Sequence, residues 1–205
     1  MLINTFISST QDKDLDISYD RSKEIKILGF WVYLMSDCIL FATLFATYFV
    51  LQNNTAGGPS GKDIFEIPIV FLETIILLSS SVTCGFAILS MDKKDKNKIN
   101  FWLIITVLLG ICFIFFELKE FRYLINQNYG PERSAFLSIF FTIIGTHGIH
   151  VLSGIFWMII IIMQTYKKGY SVIHKTRLHL LSLFWHFLDI IWIFVFNIVY
   201  LLGVV

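Results

Sequence analysis

The chain has 205 residues, of which 56% are hydrophobic, 17% are aromatic and only 15% are charged. Soluble globular domains carry about 25% charged residues, so this composition excludes an ordinary soluble domain and indicates an integral membrane protein. The net charge of +1 gives no indication of nucleic-acid binding.

The first segment, residues 1–27, is polar and contains five acidic residues before it ends in a basic group. A cleavable secretory leader would have a basic start and a short apolar core, so we predict no signal peptide here. We interpret this segment as a polar cytoplasmic tail that precedes the membrane domain, which we place at residues 28–205.

Five apolar stretches follow the tail, and each is long enough to cross a membrane. A helix needs about 20 apolar residues to cross a hydrocarbon layer ~30 Å thick. The predicted spans lie at about residues 28–51, 68–91, 99–118, 139–166 and 180–202. They are too long for barrel strands, and their hydrophobic residues do not alternate with polar ones. The sequence therefore predicts an all-α bundle of five transmembrane helices.

The basic residues are distributed unequally between the two ends of these spans. The tail and the loops after spans two and four carry 12 Lys and Arg residues, whereas the opposite side carries 4. Because short cytoplasmic loops are enriched in Lys and Arg, we predict that the N-terminus is inside and the C-terminus outside.

Ionisable side chains inside a bilayer are candidates for function, because burying them is costly. The candidates from the spans are Asp37, Glu73, His147, His150, His186 and Asp189. The spacing of the two histidines of span four puts them on one stripe of that helix, and His186 and Asp189 share one face of span five. We expect Glu117 and Glu120, at the outer end of span three, to lie at the membrane interface.

Three interpretations of these polar residues are open. The histidines could be haem or metal ligands, although only His150 and His186 offer a pair on different helices. A proton path could run through Asp37, Glu73 and Asp189, with the histidines as relays. We favour the third interpretation, in which the groups join helices, with Asp189 or Asp37 accepting hydrogen bonds from His and Trp donors.

Two sequence motifs and one shorter element carry a family resemblance. Span five has the pattern tryptophan–histidine–phenylalanine–x–aspartate–x–x–tryptophan at residues 185–192, and span four has a paired-histidine motif at 145–151 that is followed by a further glycine. A glutamate–x–proline element lies at 66–68. Besides the His and Asp residues already named, the motif residues are Glu66, Gly145, Gly148, Gly154, Trp185 and Trp192. These patterns resemble subunit III of the haem–copper terminal oxidases.

Residues 30–41 and 55–66 extend the resemblance toward the cytochrome bo-type ubiquinol oxidase branch, which also has five helices in this subunit. The resemblance implies a non-catalytic subunit of a proton-pumping complex of the bacterial inner membrane that oxidises ubiquinol and reduces dioxygen. It implies no cofactor in this chain, since the haems and copper belong to subunit I. It also implies subunits I, II and IV as partners, bound phospholipid in a cleft, and a role in assembly and sustained turnover.

Two other functions stay open at this point. The chain could be the equivalent subunit of a cytochrome c oxidase, because only the branch resemblance separates the two. It could also be an independent small transporter or proton channel. An inverted repeat or a pair of broken helices would favour a transporter, and the sequence shows neither.

Overall fold

A computed structural model of the chain describes residues 2–92, 95–168 and 172–204, and within them the side chains of residues 24–62, 64–91, 95–166 and 175–204. The described backbone is helical and contains no strand. The α-helices are α1 (Leu2–Leu51), α2 (Gly61–Ile64), α3 (Ile67–Asp92), α4 (Lys96–Asn126), α5 (Ala135–Lys168), α6 (Val172–Val195) and α7 (Leu202–Val204). A π-helix, π1 (Phe196–Leu201), joins α6 to α7.

Five segments of these helices are long and apolar enough to cross a membrane, which confirms the predicted all-α architecture. They are Glu24–Leu51, Ile67–Met91, Lys96–Asn126, Ala135–Tyr166 and Lys175–Val204. The third helix extends well past the predicted end of its span, near residue 118. It does so because its last turns still bury an apolar side chain, Leu124.

The first helix begins at Leu2 and runs without interruption from the segment that we interpreted as a tail into the first span. Residues 2–27 contain neither Gly nor Pro, so no residue in them interrupts a helix. The chain divides into two compact units, one that ends at Cys38 and one that extends from Ile39 to Val205.

In the second unit the helices pack in a fixed set of pairs. The helix α3 packs against α4 and α6, and α5 packs against the same two helices. The largest buried side chains are aromatic, and they include Trp185, Trp192, Tyr200, Phe113 and Phe140. Many Leu, Ile and Phe side chains on the outer faces are exposed. Lipid tails are as apolar as these side chains, so their exposure costs nothing in a bilayer.

A charged residue fixes the start of α4. Asp95 caps this helix, because its carboxylate accepts a hydrogen bond from the backbone N–H of Lys98 and pairs with the Lys98 ammonium at 3.2 Å. The side-chain hydrogen bond from Lys98 holds the pKa of the Asp95 carboxyl below its usual value. The cap explains why the helix begins at Lys96 and not deeper in the apolar stretch.

Candidate functional site

The two tryptophans of the span-five motif donate hydrogen bonds to hydroxyl groups of α3. Trp185 Nε1 donates to Ser80 Oγ at 2.9 Å, and Trp192 Nε1 donates to Thr74 Oγ1 at 3.0 Å. Both indole rings are 1% exposed. A buried indole N–H needs an acceptor, since leaving it unpaired in an apolar medium is costly. The motif therefore fastens α6 to α3 at two levels.

The remaining polar residues of the motif behave differently from each other. His186 Nδ1 lies 2.8 Å from Ser81 Oγ, which adds a third hydrogen bond between the same two helices. Asp189 is 5% exposed, and neither of its carboxylate oxygens has a hydrogen-bond partner among the described residues. Interhelical hydrogen bonds are thus present as expected, but Asp189 as their acceptor is wrong. The acceptors are hydroxyl groups of α3.

The sequence did not single out Thr74, Ser80 and Ser81 as partners. A signal for them exists, because residues 74 and 81 are seven positions apart and therefore lie two turns apart on one face of α3. Trp185 and Trp192 have the same separation on α6. Matching the two spacings would have indicated the contact between these helices.

Two glycines make room for the indole ring of Trp185. A Cβ atom on Gly110 of α4 would lie 3.0 Å from Trp185 Cη2, and one on Gly154 of α5 would lie 3.0 Å from Trp185 Cε3. The ring is thus held between two helices that approach it closely. This contact gives a physical reason for the motif glycine Gly154.

A third glycine makes room for a carboxyl group. A Cβ atom on Gly148 would lie 2.7 Å from Glu117 Oε1, and the Glu117 side chain is only 3% exposed. Our expectation that Glu117 lies at the membrane interface is therefore wrong, because the gap at Gly148 lets α4 turn this carboxyl into the bundle. Gly145, one turn earlier, has only an ordinary contact with Phe121 at 4.0 Å.

Glu117 belongs to a group of acidic residues, which we call the glutamate cluster: Glu73 of α3, Glu117 and Glu120 of α4, and the phenol of Tyr200 in π1. The Tyr200 hydroxyl donates to Glu120 Oε2 at 2.9 Å, and Tyr200 also interacts electrostatically with the other two carboxyls. Glu73 is 0% exposed. Both of its carboxylate oxygens, and Oε2 of Glu117, have no hydrogen-bond partner among the described residues.

A cavity of about 430 Å³ lies beside the glutamate cluster, between the beginning of α3 and the end of α4. Its walls are mostly apolar, and three of its lining residues are charged: Glu66, Lys119 and Glu120. The motif residue Glu66 is exposed. Glu120 is the residue common to the cavity and the glutamate cluster.

The two histidines of span four have separate surroundings. His147 is 0% exposed and lies among aromatic rings, with ring centroids 5.8 Å from Phe113 and 5.1 Å from Trp192. Neither of its ring nitrogens has a hydrogen-bond partner among the described residues. His150 uses Nδ1 to contact the carbonyl oxygen of Thr146 in its own helix, at 2.7 Å.

The histidines, cysteines and acids do not form a ligand set in the described part of the chain. No three of these side chains lie in a group that could hold a metal ion there. In the N-terminal unit, Asp37 accepts a hydrogen bond from the Tyr33 hydroxyl one turn earlier in α1. The described geometry therefore offers interhelical contacts, a buried acidic cluster and a cavity.

These features define a polytopic helical membrane protein whose motifs position helices against each other. Residues 21–204 match the protein family described as cytochrome c oxidase subunit III. The match includes all five spans and both motifs, so the chain belongs to this family.

Individual relatives are similar over most of their length. The chain is 56% identical over 177 residues to the cytochrome bo(3) ubiquinol oxidase subunit 3 of Pseudomonas aeruginosa, which covers 86% of this chain and 85% of the relative. It is 55% identical over 183 residues to the protein of the same name from Pseudomonas putida, covering 89% and 88%. A cytochrome c oxidase subunit 3 from Bacillus sp. is 42% identical over 180 residues, covering 88% and 87%.

Proposed function

We propose that this chain is subunit III of a cytochrome bo-type ubiquinol oxidase in the bacterial inner membrane. The observation that carries the proposal is the identity of 56% and 55% to two relatives that are named as this subunit. The complex would oxidise ubiquinol, reduce dioxygen to water and pump protons across the membrane.

Within this complex the chain has an accessory role. Its family motifs are used in contacts between its own helices, as the bonds from Trp185 to Ser80 and from Trp192 to Thr74 illustrate. The haems, the copper and the quinol site would belong to subunit I. This chain would pack beside subunit I and associate with subunits II and IV, and it would support assembly and sustained turnover.

Membrane lipids would be its other partners. The exposed outer faces of the spans are formed by large apolar side chains, which match the acyl chains of phospholipids. A phospholipid held by the bundle would fill space between this chain and its neighbours in the complex.

A second candidate is the equivalent subunit of a cytochrome c oxidase, which the 42% identity to a relative of that name favours. The lower identity makes it the less favoured of the two.

The test is gentle purification of the tagged chain from its own membranes, followed by the visible spectrum and a list of the copurified proteins. We expect a haem-bearing partner and ubiquinol oxidation by the purified complex. Oxidation of cytochrome c in place of ubiquinol would favour the second candidate. Recovery of a haem-free chain that transports ions on its own would contradict both.

A further inference from the structure

The glutamate cluster places three carboxyl groups together inside the bundle without a cation. The side chains of Glu73 and Glu117 are 0% and 3% exposed, and the charges of all three glutamates are close enough to repel one another. The one ion pair in the described part of the chain joins Lys98 to Asp95, at the opposite end of α4. Nothing described here compensates negative charge in the cluster.

A dry cluster of this kind favours bound protons over charge. An ionised carboxylate in an apolar medium loses its hydration, and a second one nearby adds repulsion. A neutral carboxylic acid avoids both costs and gains an O–H donor. The oxygens of Glu73 and Glu117 that have no donor among the described residues are therefore positions at which protons can bind.

The cluster also has a route to water. Glu120 lines the cavity between α3 and α4, and it accepts the hydrogen bond from Tyr200. A phenol hydroxyl both donates and accepts, and Tyr200 interacts electrostatically with the two buried carboxyls as well. Glu120 and Tyr200 thus connect the cavity with the buried acids.

We propose that Glu73, Glu117, Glu120 and Tyr200 form an exchangeable proton-binding site that takes up and returns protons through the cavity. A proton passes from water in the cavity to a carboxylate oxygen, and it returns by the reverse step without any change of oxidation state. This site shares only Glu73 with the proton path considered from the sequence. It is independent of the proposed function, because the partners of the chain would be the same with or without it.

Infrared spectroscopy of the purified oxidase complex tests the proposal, because a protonated carboxyl group has its own carbonyl stretching band. We expect Glu73→Gln or Glu117→Gln to remove such a band. In the wild-type complex the band should shift on transfer to D₂O. With Glu120→Gln the band should remain, but its shift should be slower by about a hundredfold, the low end of what a positioned proton-transfer group contributes.

Glu132→Gln is the matched control, since Glu132 is an exposed glutamate outside the cluster. The proposal is overturned if neither Glu73→Gln nor Glu117→Gln removes a band, if the control removes the same band, or if the wild-type band does not shift in D₂O. If one of the two buried variants fails to assemble, the other still tests the bound proton. The Glu120→Gln complex tests the route through the cavity, and an unchanged exchange rate there contradicts it.

Discussion

At the scale of single residues, the glycines of the paired-histidine motif have unequal tasks. A Cβ atom on Gly148 would overlap the Glu117 carboxyl, whereas one on Gly145 would have an ordinary contact with a phenyl ring. The two positions look equivalent in the sequence, because both flank His147 on the same helix. Only the first of them borders a polar group that cannot move into lipid without cost.

We expect Gly148→Ala to destabilise the complex by about 1–3 kcal/mol, the usual cost of overpacking a well-packed site. Gly145→Ala should have little effect, because its new methyl group finds space. The measurement is the thermal midpoint of the purified complex and the fraction that retains this chain. Equal midpoints for wild type and Gly148→Ala would contradict the prediction.

The contact itself can be isolated with a double-mutant cycle. Gly148→Ala should cost less in a Glu117→Ala background than in the wild type, because the clash has lost its partner. A coupling of at least about 0.5 kcal/mol is typical for residues in contact. Additive effects would mean that Gly148 acts through something other than Glu117.

At the scale of helices, α6 is attached to α3 by three side-chain hydrogen bonds that recur over two turns. Two of them come from indole N–H groups and one from His186. Helices in lipid gain no hydrophobic free energy from association, so packing and hydrogen bonds determine which faces meet. These bonds fix the rotation of α6 and thereby direct Trp185 into the gap between Gly110 and Gly154.

Trp192→Phe and Thr74→Val should be coupled. Each variant alone removes the hydrogen bond between the two side chains, so the double variant should be little worse than the more damaging single one. We expect a coupling of about 0.6 kcal/mol, the average for such bonds in a membrane protein. The measurement is unfolding of the purified complex in a denaturing detergent. Trp192→Phe with Leu78→Ala, a change at an exposed α3 residue, is the control pair. Strict additivity in the Thr74 pair would contradict the assigned bond.

At the scale of the whole molecule, the distribution of basic residues remains the only guide to orientation. The bias of 12 Lys and Arg on one side against 4 on the other is large for a chain of this size. The same side holds the N-terminus and the loop between α3 and α4, and the opposite side holds the C-terminus after α7.

A reporter fused after Val205 should be located outside the cytoplasm, because the short basic loops retain the other ends of the spans inside. A second reporter in the loop at residues 92–98 should be cytoplasmic. Enzyme reporters that work on only one side of the membrane make the measurement. A fusion after Val205 that is active only in the cytoplasm would reverse the predicted topology.

The sequence was sufficient for the architecture but not for the contacts. Apolar length is set by bilayer thickness, so the five spans could be counted directly. Depth along a helix also follows from residue number, but the face that a residue presents depends on helix rotation. For that reason Glu117 was expected at the interface, and Asp189 was chosen as an acceptor in place of Ser80. The π-helix could not be foreseen, because residues 196–201 contain neither Gly nor Pro.

The π-helix determines how the two halves of span five are phased. An α-helix rotates by about 100° per residue, and a π-turn contains extra chain for the same advance. Trp192 before π1 reaches α3, whereas Tyr200 within it reaches Glu120. Loss of one residue from 196–201 would let a regular α-helix form and still cross the bilayer, yet it would turn the Tyr200 phenol away from Glu120 by about 100°. In this segment chain length is therefore constrained more tightly than residue identity: apolar substitutions are tolerable, but insertions and deletions are not.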